Sequence, residues 1–559
     1  MPTATWRRWI VPGVVVVALL VVLGLVVVRR PVDRAAVGGG QPTGAVHRAA
    51  RHGIRPGNGV IVDGIFEEPN ILNPDAGPTM TYSDIVNTSL FQNLYDTTPG
   101  GKILPEIATG MPVVSGNGLH YTFTLKHTEW SNGRPFTAAD VVATWKLVTS
   151  AGYVAWSTTG WTDVASISVA NPYKFTVNLK QPFPALVADC FATDGPGIVP
   201  ASVFGPGKLM GKAANNAPYD HHPTPSNGPF MFKSWTPGVS ITVVPNPHWF
   251  GPKPKAREIV YEVIPNENTL LADAQAHSIN VYYFDSVTQV KQLQAIPGAR
   301  VHFTTQPAWE GIDLNEKNPF LKNVKVRQAL AMAIDVKALV SKVWNGHAVA
   351  IGADQPPDSY AYNPSVKPYP YDPAQAKKIL LAQGFKMGAH GYLEKGGKEF
   401  TLVYSTTSGN PWRTLDQELI QFWFKQIGVH VVIKDYPANA YFGTVLPSQK
   451  GWDMGEFEFA EGYDPLAGMQ PMFGTNGVNN YTSFSSPALD HLFAVAGTAT
   501  AHATEKKDLQ QAETIIHNQV PEIILYSPKE IDTSIDMTGY TPNPYMADTW
   551  NSYDWQTTS

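Results

Sequence analysis

Apolar residues recur in two periods along this chain, every second position in short runs and every third or fourth in longer ones, and the two kinds of run alternate. Val60 to Ile65 reads as a strand, and Phe66 to Pro74 (FEEPNILNP), with its prolines and asparagines, reads as the loop after it. Ser83 is expected to cap a helix running to about Leu94. Tyr121 to Leu125 alternates as a strand, Ser131-Asn132-Gly133 is a turn, and Thr137 with Asp140 makes a capping box before Val141, Val142 and Trp145. Ser240 to Val244 and Phe400 to Tyr404 are further strands. Asp372 caps a helix with Pro373 at its first position and Gly384 past its end. From Thr414 to Ile427, the residues Leu415, Leu419, Phe422, Trp423 and Ile427 fall at helical spacing; Gly428 stops the helix and Val429 to Ile433 follows as a strand. In Phe457 to Pro465 (FEFAEGYDP), Phe457 and Phe459 face one way while Glu456, Glu458 and Ala460 face the other, before an Asp-Pro turn. Helices alternating with strands imply α/β lobes.

One run stands apart. Ile10 to Val28 is uncharged, rich in Val and Leu, and approaches the length a helix needs to cross a bilayer. Arg7 and Arg8 precede it, Arg29, Arg30 and Arg34 follow it, and Trp6 and Trp9 sit where interfacial aromatics belong. Its length and basic downstream flank favour an uncleaved signal anchor over a cleaved signal peptide. Residues 1–30 are therefore expected to be a transmembrane helix and residues 31–57, without periodicity, a flexible basic tether. No second spanning run follows.

Composition narrows the function. A chain of 559 residues with 43% hydrophobic content exceeds one hydrophobic core. Eight Arg against the single Asp33 lie before residue 56, so the net −5 of the whole chain leaves −12 for the rest. An acidic body argues against nucleic-acid binding, and the basic segment suits anionic lipid headgroups. Cys190, the only cysteine, rules out an intramolecular disulfide and any cysteine-based zinc site, and reads as a small buried apolar residue. The chain carries neither an HExxH pair nor a GxSxG elbow, and His221-His222 reads as a solvated loop. No metal and no cofactor is expected. Arg327, set among Ala, Leu, Ile and Val, is expected to form a structural ion pair with Asp335 or another acid.

Five segments in consistent order carry a family resemblance. They are WSNGRPFTAADV from Trp130; PSNGPF from Pro225 with a later NPHWFG; TLLADAQAHSINVYYF from Thr269; IDLNEKNPFLKNVKVRQALAMAIDVKALVSKVWNG from Ile312; and YDPAQAKKILLAQG from Tyr371. Together they resemble the extracellular solute-binding proteins of family 5, the peptide and nickel transport class, over roughly Gly59 to Ser527. The resemblance implies a two-lobed periplasmic-binding-protein-like α/β fold, of the large type II class with an inserted subdomain. Lobe I would comprise 58–83, 217–306 and 529–559, the insert 84–216, and lobe II 307–528.

The implied function is an extracytoplasmic receptor of an ABC importer, a membrane-held monomer that closes on a di- or oligopeptide and docks on permease subunits. An oligosaccharide, a metal chelate or another small solute is the alternative ligand. Segments expected to converge on the cleft carry Glu68, Trp309, Glu310, Trp412, Phe457, Phe459, Glu458, Glu461, Tyr463 and Asp464. A peptide ammonium enclosed in a cleft needs a fixed carboxylate. By resemblance that group lies four residues before the Pro of the Asp-Pro pair, which is Glu461 here, where an Asp is usual. Trp309, Trp412 and Phe457 or Phe459 would line side-chain pockets. A ligand sensor with the same body, and a surface hydrolase using Glu458 and Glu461, are the rival readings.

Overall fold

The computed structural model describes residues 55–77, 81–192, 197–283, 287–437, 440–460, 462–499 and 502–558. The expected anchor and most of the tether lie outside them, as does Glu461. Among the described residues no helix is long and apolar enough to cross a membrane.

A twelve-stranded mixed sheet organises these residues. Its strands in chain order are β1 (Val60–Ile65), β2 (Phe230–Thr236), β3 (Ser240–Pro245), β4 (Glu258–Val263), β5 (Val281–Tyr283), β6 (Ala299–Thr305), β7 (Ala308–Leu314), β8 (Ala348–Ala350), β9 (Thr401–Ser405), β10 (His430–Ile433), β11 (Met454–Ala460) and β12 (Glu522–Ile535). Their order across the sheet is β10-β9-β11-β7-β12-β5-β1-β4-β3-β2, with β6 and β8 also pairing β12. The long strand β12 belongs to both halves. Glu522 to Tyr526 pair with β7, whereas Lys529 to Ile535 pair with β6. The chain thus passes between halves at Ser527–Pro528, and passes again at Gln306–Pro307, between the end of β6 and the start of β7. Ser527 ties the two crossings by donating its hydroxyl to the Gln306 carbonyl at 3.4 Å.

Each half is covered on both faces. Ile61, Tyr261 and Phe230 pack on one side of the first half, and Val62, Leu270 and Tyr282 on the other, as the alternation of a buried strand requires. In the second half, Ile312, Tyr404 and Phe424 form one core and Trp309, Phe457 and Met469 the opposite one. A separate core around Phe123, Phe175 and Phe191, which includes the buried Cys190, lies behind a four-stranded antiparallel sheet whose members include His120–Thr124 and Lys174–Leu179.

Several local expectations hold. Val60 to Ile65 is a strand, Thr137 and Asp140 make a complete capping box, and Asp372 accepts from the Gln375 amide at 2.8 Å with Pro373 beginning the helix. Others are corrected. Ser83 lies inside the helix Thr81–Leu90 and donates its hydroxyl to Asn70 at 3.0 Å, so it is no cap. Arg327 forms the expected structural ion pair, its acid being Glu316 at 3.0 Å, while Asp335 caps the helix Val336–Lys342 by accepting from Ala338. The helix read as Thr414 to Ile427 runs from Pro411 to Gln426 with Asn410 as its cap. Its Leu415 and Phe422 are exposed, at 47% and 59%, because the face turned inward carries Arg413, Asp416 and Gln417 beside Ile420, Trp423 and Phe424.

Candidate functional site

The candidate site begins from the pairing of β7 with β11. Trp309 stands opposite Phe459, Glu310 opposite Glu458, and Ile312 opposite Glu456. Directly opposed residues of an antiparallel pair share a face. The aromatic residues therefore lie on one side and the carboxylates Glu310, Glu456 and Glu458 on the other, as the alternation in the sequence predicts.

The aromatic side is core. Trp309 is fully buried, its ring 5.0 Å from Phe459 and 6.3 Å from Phe473, and its indole N–H donates to Glu522. Phe457 is likewise buried, edge-on to Phe442 at 5.8 Å. On the carboxylate side, Arg413 donates to Glu310 through Nε at 2.7 Å and Nη2 at 3.0 Å, and Tyr404 donates to Glu456 at 2.7 Å. Burial pushes the Glu456 carboxyl well above the usual range, and Asp416 and Glu310 add to the rise. Asp416 is held at about 7, by burial first and then by Glu310, against the opposing hydroxyl of Tyr526.

Where β11 leaves this cluster it reaches a cavity of about 480 Å³, which Glu458, Ala460 and Gly462 line on one side. Gln306 and Pro307, the crossing between sheet halves, line it too. The remaining wall carries Asp84, Tyr283, Glu530, Tyr545 and Asp548, with Trp156 from the segment between two strands of the four-stranded sheet. Tyr283 donates its hydroxyl to Glu530 at 2.8 Å, which holds that carboxylate against β5. A cavity of this size takes a small peptide or a drug-sized solute.

A second cavity of about 390 Å³ adjoins through an aromatic contact, since Tyr463 lies 5.8 Å from Tyr545, edge to face. It is lined by Tyr121 and Val187 on one side and by Tyr360, Tyr463, Asp464 and Glu505 on the other. Asp464 caps the helix Pro465–Phe473 by accepting from Leu466 at 3.0 Å, and burial with Glu505 nearby raises its carboxyl to about 7.

The structure thus brings Glu458 to the first cavity and Tyr463 and Asp464 to the second. Trp309, Phe457 and Glu310 are buried away from both: the first two form core, and Glu310 is engaged by Arg413. Trp412 packs edge-on against Trp344 at 5.8 Å, and Phe459 packs at a tilt against Trp309. Glu68 accepts from the Trp235 indole and the Gly238 amide, both at 2.8 Å, and so holds a turn between β2 and β3. None of these six residues lines either cavity. Reading the sequence missed Asp84, Trp156, Tyr283, Glu530, Tyr545 and Asp548. Most of them come from segments without a motif of their own, and the alternation of β12 is the only signal that singles out Glu530.

One grouping could hold a cation. Glu530, Asp532 and Asp548, all buried, each offer an oxygen within 4.8 Å of the others. Asp63 adjoins them, and burial followed by Asp548 keeps its carboxyl well above the usual range.

Comparison with known proteins places this geometry. The family described as "Bacterial extracellular solute-binding proteins, family 5 Middle" matches residues 102–480. The oligopeptide-binding protein AppA of Bacillus subtilis is 26% identical over 509 residues, covering 89% of this chain and 91% of that one. Among solved structures, AppA in complex with a nonapeptide superposes with a TM-score of 0.73 at 24% identity, covering 90% of this chain and 100% of its own. NikZ of Campylobacter jejuni in complex with Ni(L-His) does so with a TM-score of 0.74 at 21% identity, again covering 90% and 100%. At these identities the two structures speak for the fold alone, and they bear out the two-lobed periplasmic-binding-protein-like α/β architecture.

Proposed function

We propose a function from one premise: the chain belongs to the bacterial extracellular solute-binding proteins of family 5. It is the extracytoplasmic receptor of an ABC importer and captures di- or oligopeptides in the cleft between two lobes. The observation that carries this reading is the 480 Å³ cavity at the Gln306–Pro307 crossing, where these residues meet Glu458 on one wall and Asp84 on the other. A ligand touching both walls binds the closed arrangement better than the open one and so shifts the population toward it. The hinge consists of Gln306–Pro307 and Ser527–Pro528. The closed form then docks on permease subunits.

On this reading lobe I comprises 58–83, 217–306 and 529–559, the insert 84–216 and lobe II 307–528. Glu461, beyond the described residues but adjoining Ala460 and Gly462 of the cavity wall, pairs with the ligand ammonium, and Glu458 supports it. Tyr463 contributes an aromatic surface. Residues 1–30 hold the body at the outer face of the membrane; retention in the membrane fraction after alkaline extraction supports this, and release as a truncated soluble chain overturns it.

Native mass spectrometry of the gently purified full-length chain tests the ligand class. Recovery of a heterogeneous set of short peptides is expected, whereas recovery of glycans or a chelated metal overturns the peptide reading. In a peptide titration, Glu461→Gln is expected to weaken binding by about tenfold or more with the ligand-free melting temperature unchanged. Unaltered affinity would remove Glu461 from the site.

A further inference from the structure

We infer that the second cavity is a subsite for a large apolar side chain, aromatic or branched aliphatic, of a peptide whose amino terminus lies in the first; this rests on the peptide-receptor reading and deepens it. The two walls of this cavity differ in kind. On the side of the expected insert, Ile103, Met111, Val114 and Val187 line it together with prolines and alanines, and no charged residue stands among the described residues of that wall. Tyr121 is the polar member, and its hydroxyl donates to the Phe183 carbonyl at 3.3 Å. The facing wall is aromatic: the Tyr463 ring lies 5.4 Å from Tyr360, which lies 4.2 Å from His502. The acids of this wall have partners within it. Asp464 accepts from the Leu466 amide at 3.0 Å and from the Tyr360 hydroxyl at 3.4 Å, and the buried Glu505 lies 3.1 Å from Nδ1 of His502.

Apolar residues scattered over a convex surface are ordinary, but Met111 and Val114, 56% and 48% exposed, look into a hollow of about 390 Å³ and across it at tyrosine rings. A Phe, Trp or Leu side chain entering this space is buried on both sides, whereas a charged one gives up its water against an aliphatic wall. The flexible Met111 adapts that wall to several apolar shapes. The two cavities are also joined. Gly462 lines the first and Tyr463 the second, and Tyr545 of the first donates its hydroxyl at 2.6 Å to the carbonyl of Asp358, two residues before Tyr360 of the second. An extended peptide of six residues spans roughly 20 Å, which carries it beyond the first cavity. Its apolar side chain then touches the insert and lobe II together, so the same contact favours closure.

The test is a calorimetric titration of the full-length chain with hexa-alanine and with the six hexapeptides that carry one Phe in place of one Ala, all of the same charge. Phe at a position beyond the second is expected to tighten binding about tenfold or more over hexa-alanine. Met111→Asp and Val114→Asp, each checked for an unaltered melting temperature, put a carboxylate into the aliphatic wall and are expected to cut that advantage to about threefold or less. Binding of hexa-alanine with no gain from Phe at any position, or with a gain confined to the first two, overturns the subsite and leaves the peptide receptor standing. A gain that persists in full in both variants places the Phe elsewhere and likewise overturns the subsite alone. Failure of all seven peptides to bind overturns the peptide reading and the subsite with it.

Discussion

Arg413 grips both carboxylate oxygens of Glu310, at 2.7 Å and 3.0 Å, and so ties the helix Pro411–Gln426 to the centre of β7 in a place almost closed to water. Glu456 and Glu458 lie on the same face of the sheet, and Asp416 lies one turn further along the helix. The acidic wall of the cleft is therefore continuous with a buried ionic cluster in which one guanidinium serves several carboxyl groups. Arg413→Met leaves Glu310 buried without its partner and is expected to destabilise the protein by about 3–5 kcal/mol. Denaturant unfolding measures this, and a loss below about 1 kcal/mol would show that the pair is replaceable.

The same cluster sets a pH dependence. Asp416 titrates at about 7 in the folded protein, and Glu456 lies well above its usual range, both chiefly through burial. In the unfolded chain such groups ionise near pH ~4. Between that value and about 7 the folded state binds more protons, so stability falls as pH rises through this window. Unfolding is expected to need more urea at about pH 5 than at about pH 8, and Asp416→Asn is expected to flatten part of that slope. Greater stability at the alkaline end would contradict the protonated cluster.

Gly311 is a strand glycine with a steric reason. A Cβ built at this position in β7 would collide with Oε1 of Glu522, the carboxyl that also receives the Trp309 indole N–H. Gly311→Ala is expected to displace Glu522 and lower stability by about 1–3 kcal/mol, read from the melting temperature. An unchanged melting temperature would mean that Glu522 moves freely.

Cys190 reports on the separate core around Phe123, Phe175 and Phe191. Its side chain is fully buried, and burial, then Asp189, pushes its thiol well above the usual range. A thiol reagent at neutral pH is expected to label it slowly in the native protein and quickly in denaturant. Rapid native labelling would show that this part of the chain opens on its own.

Features decided within a few residues were legible in the sequence. The capping box at Thr137, the Asp372–Pro373 helix start and the face alternation of Phe457, Glu458 and Phe459 follow from local chemistry alone. What remained hidden depends on partners distant in sequence. Leu415 and Phe422 match a helical stripe, yet the helix turns Arg413 and Asp416 inward because Glu310 and Tyr526 wait there, 103 and 110 residues away. Trp309 and Phe457 read equally well as pocket walls or as core, and the helices packed on that face of the sheet decide for core. The cavity acids Asp84, Glu530 and Asp548 come from a helix, from β12 and from a turn near the C-terminus, and no local pattern announces that segments so distant in sequence share one wall.

Peptide capture by closure of the cleft is the central claim, and small-angle X-ray scattering of the full-length chain in detergent, with and without saturating peptide, tests it most directly. A smaller radius of gyration for the peptide-bound protein, with midpoint matching a calorimetric titration, is the result predicted. Peptide binding without contraction, or contraction only with a sugar or metal chelate, would contradict it.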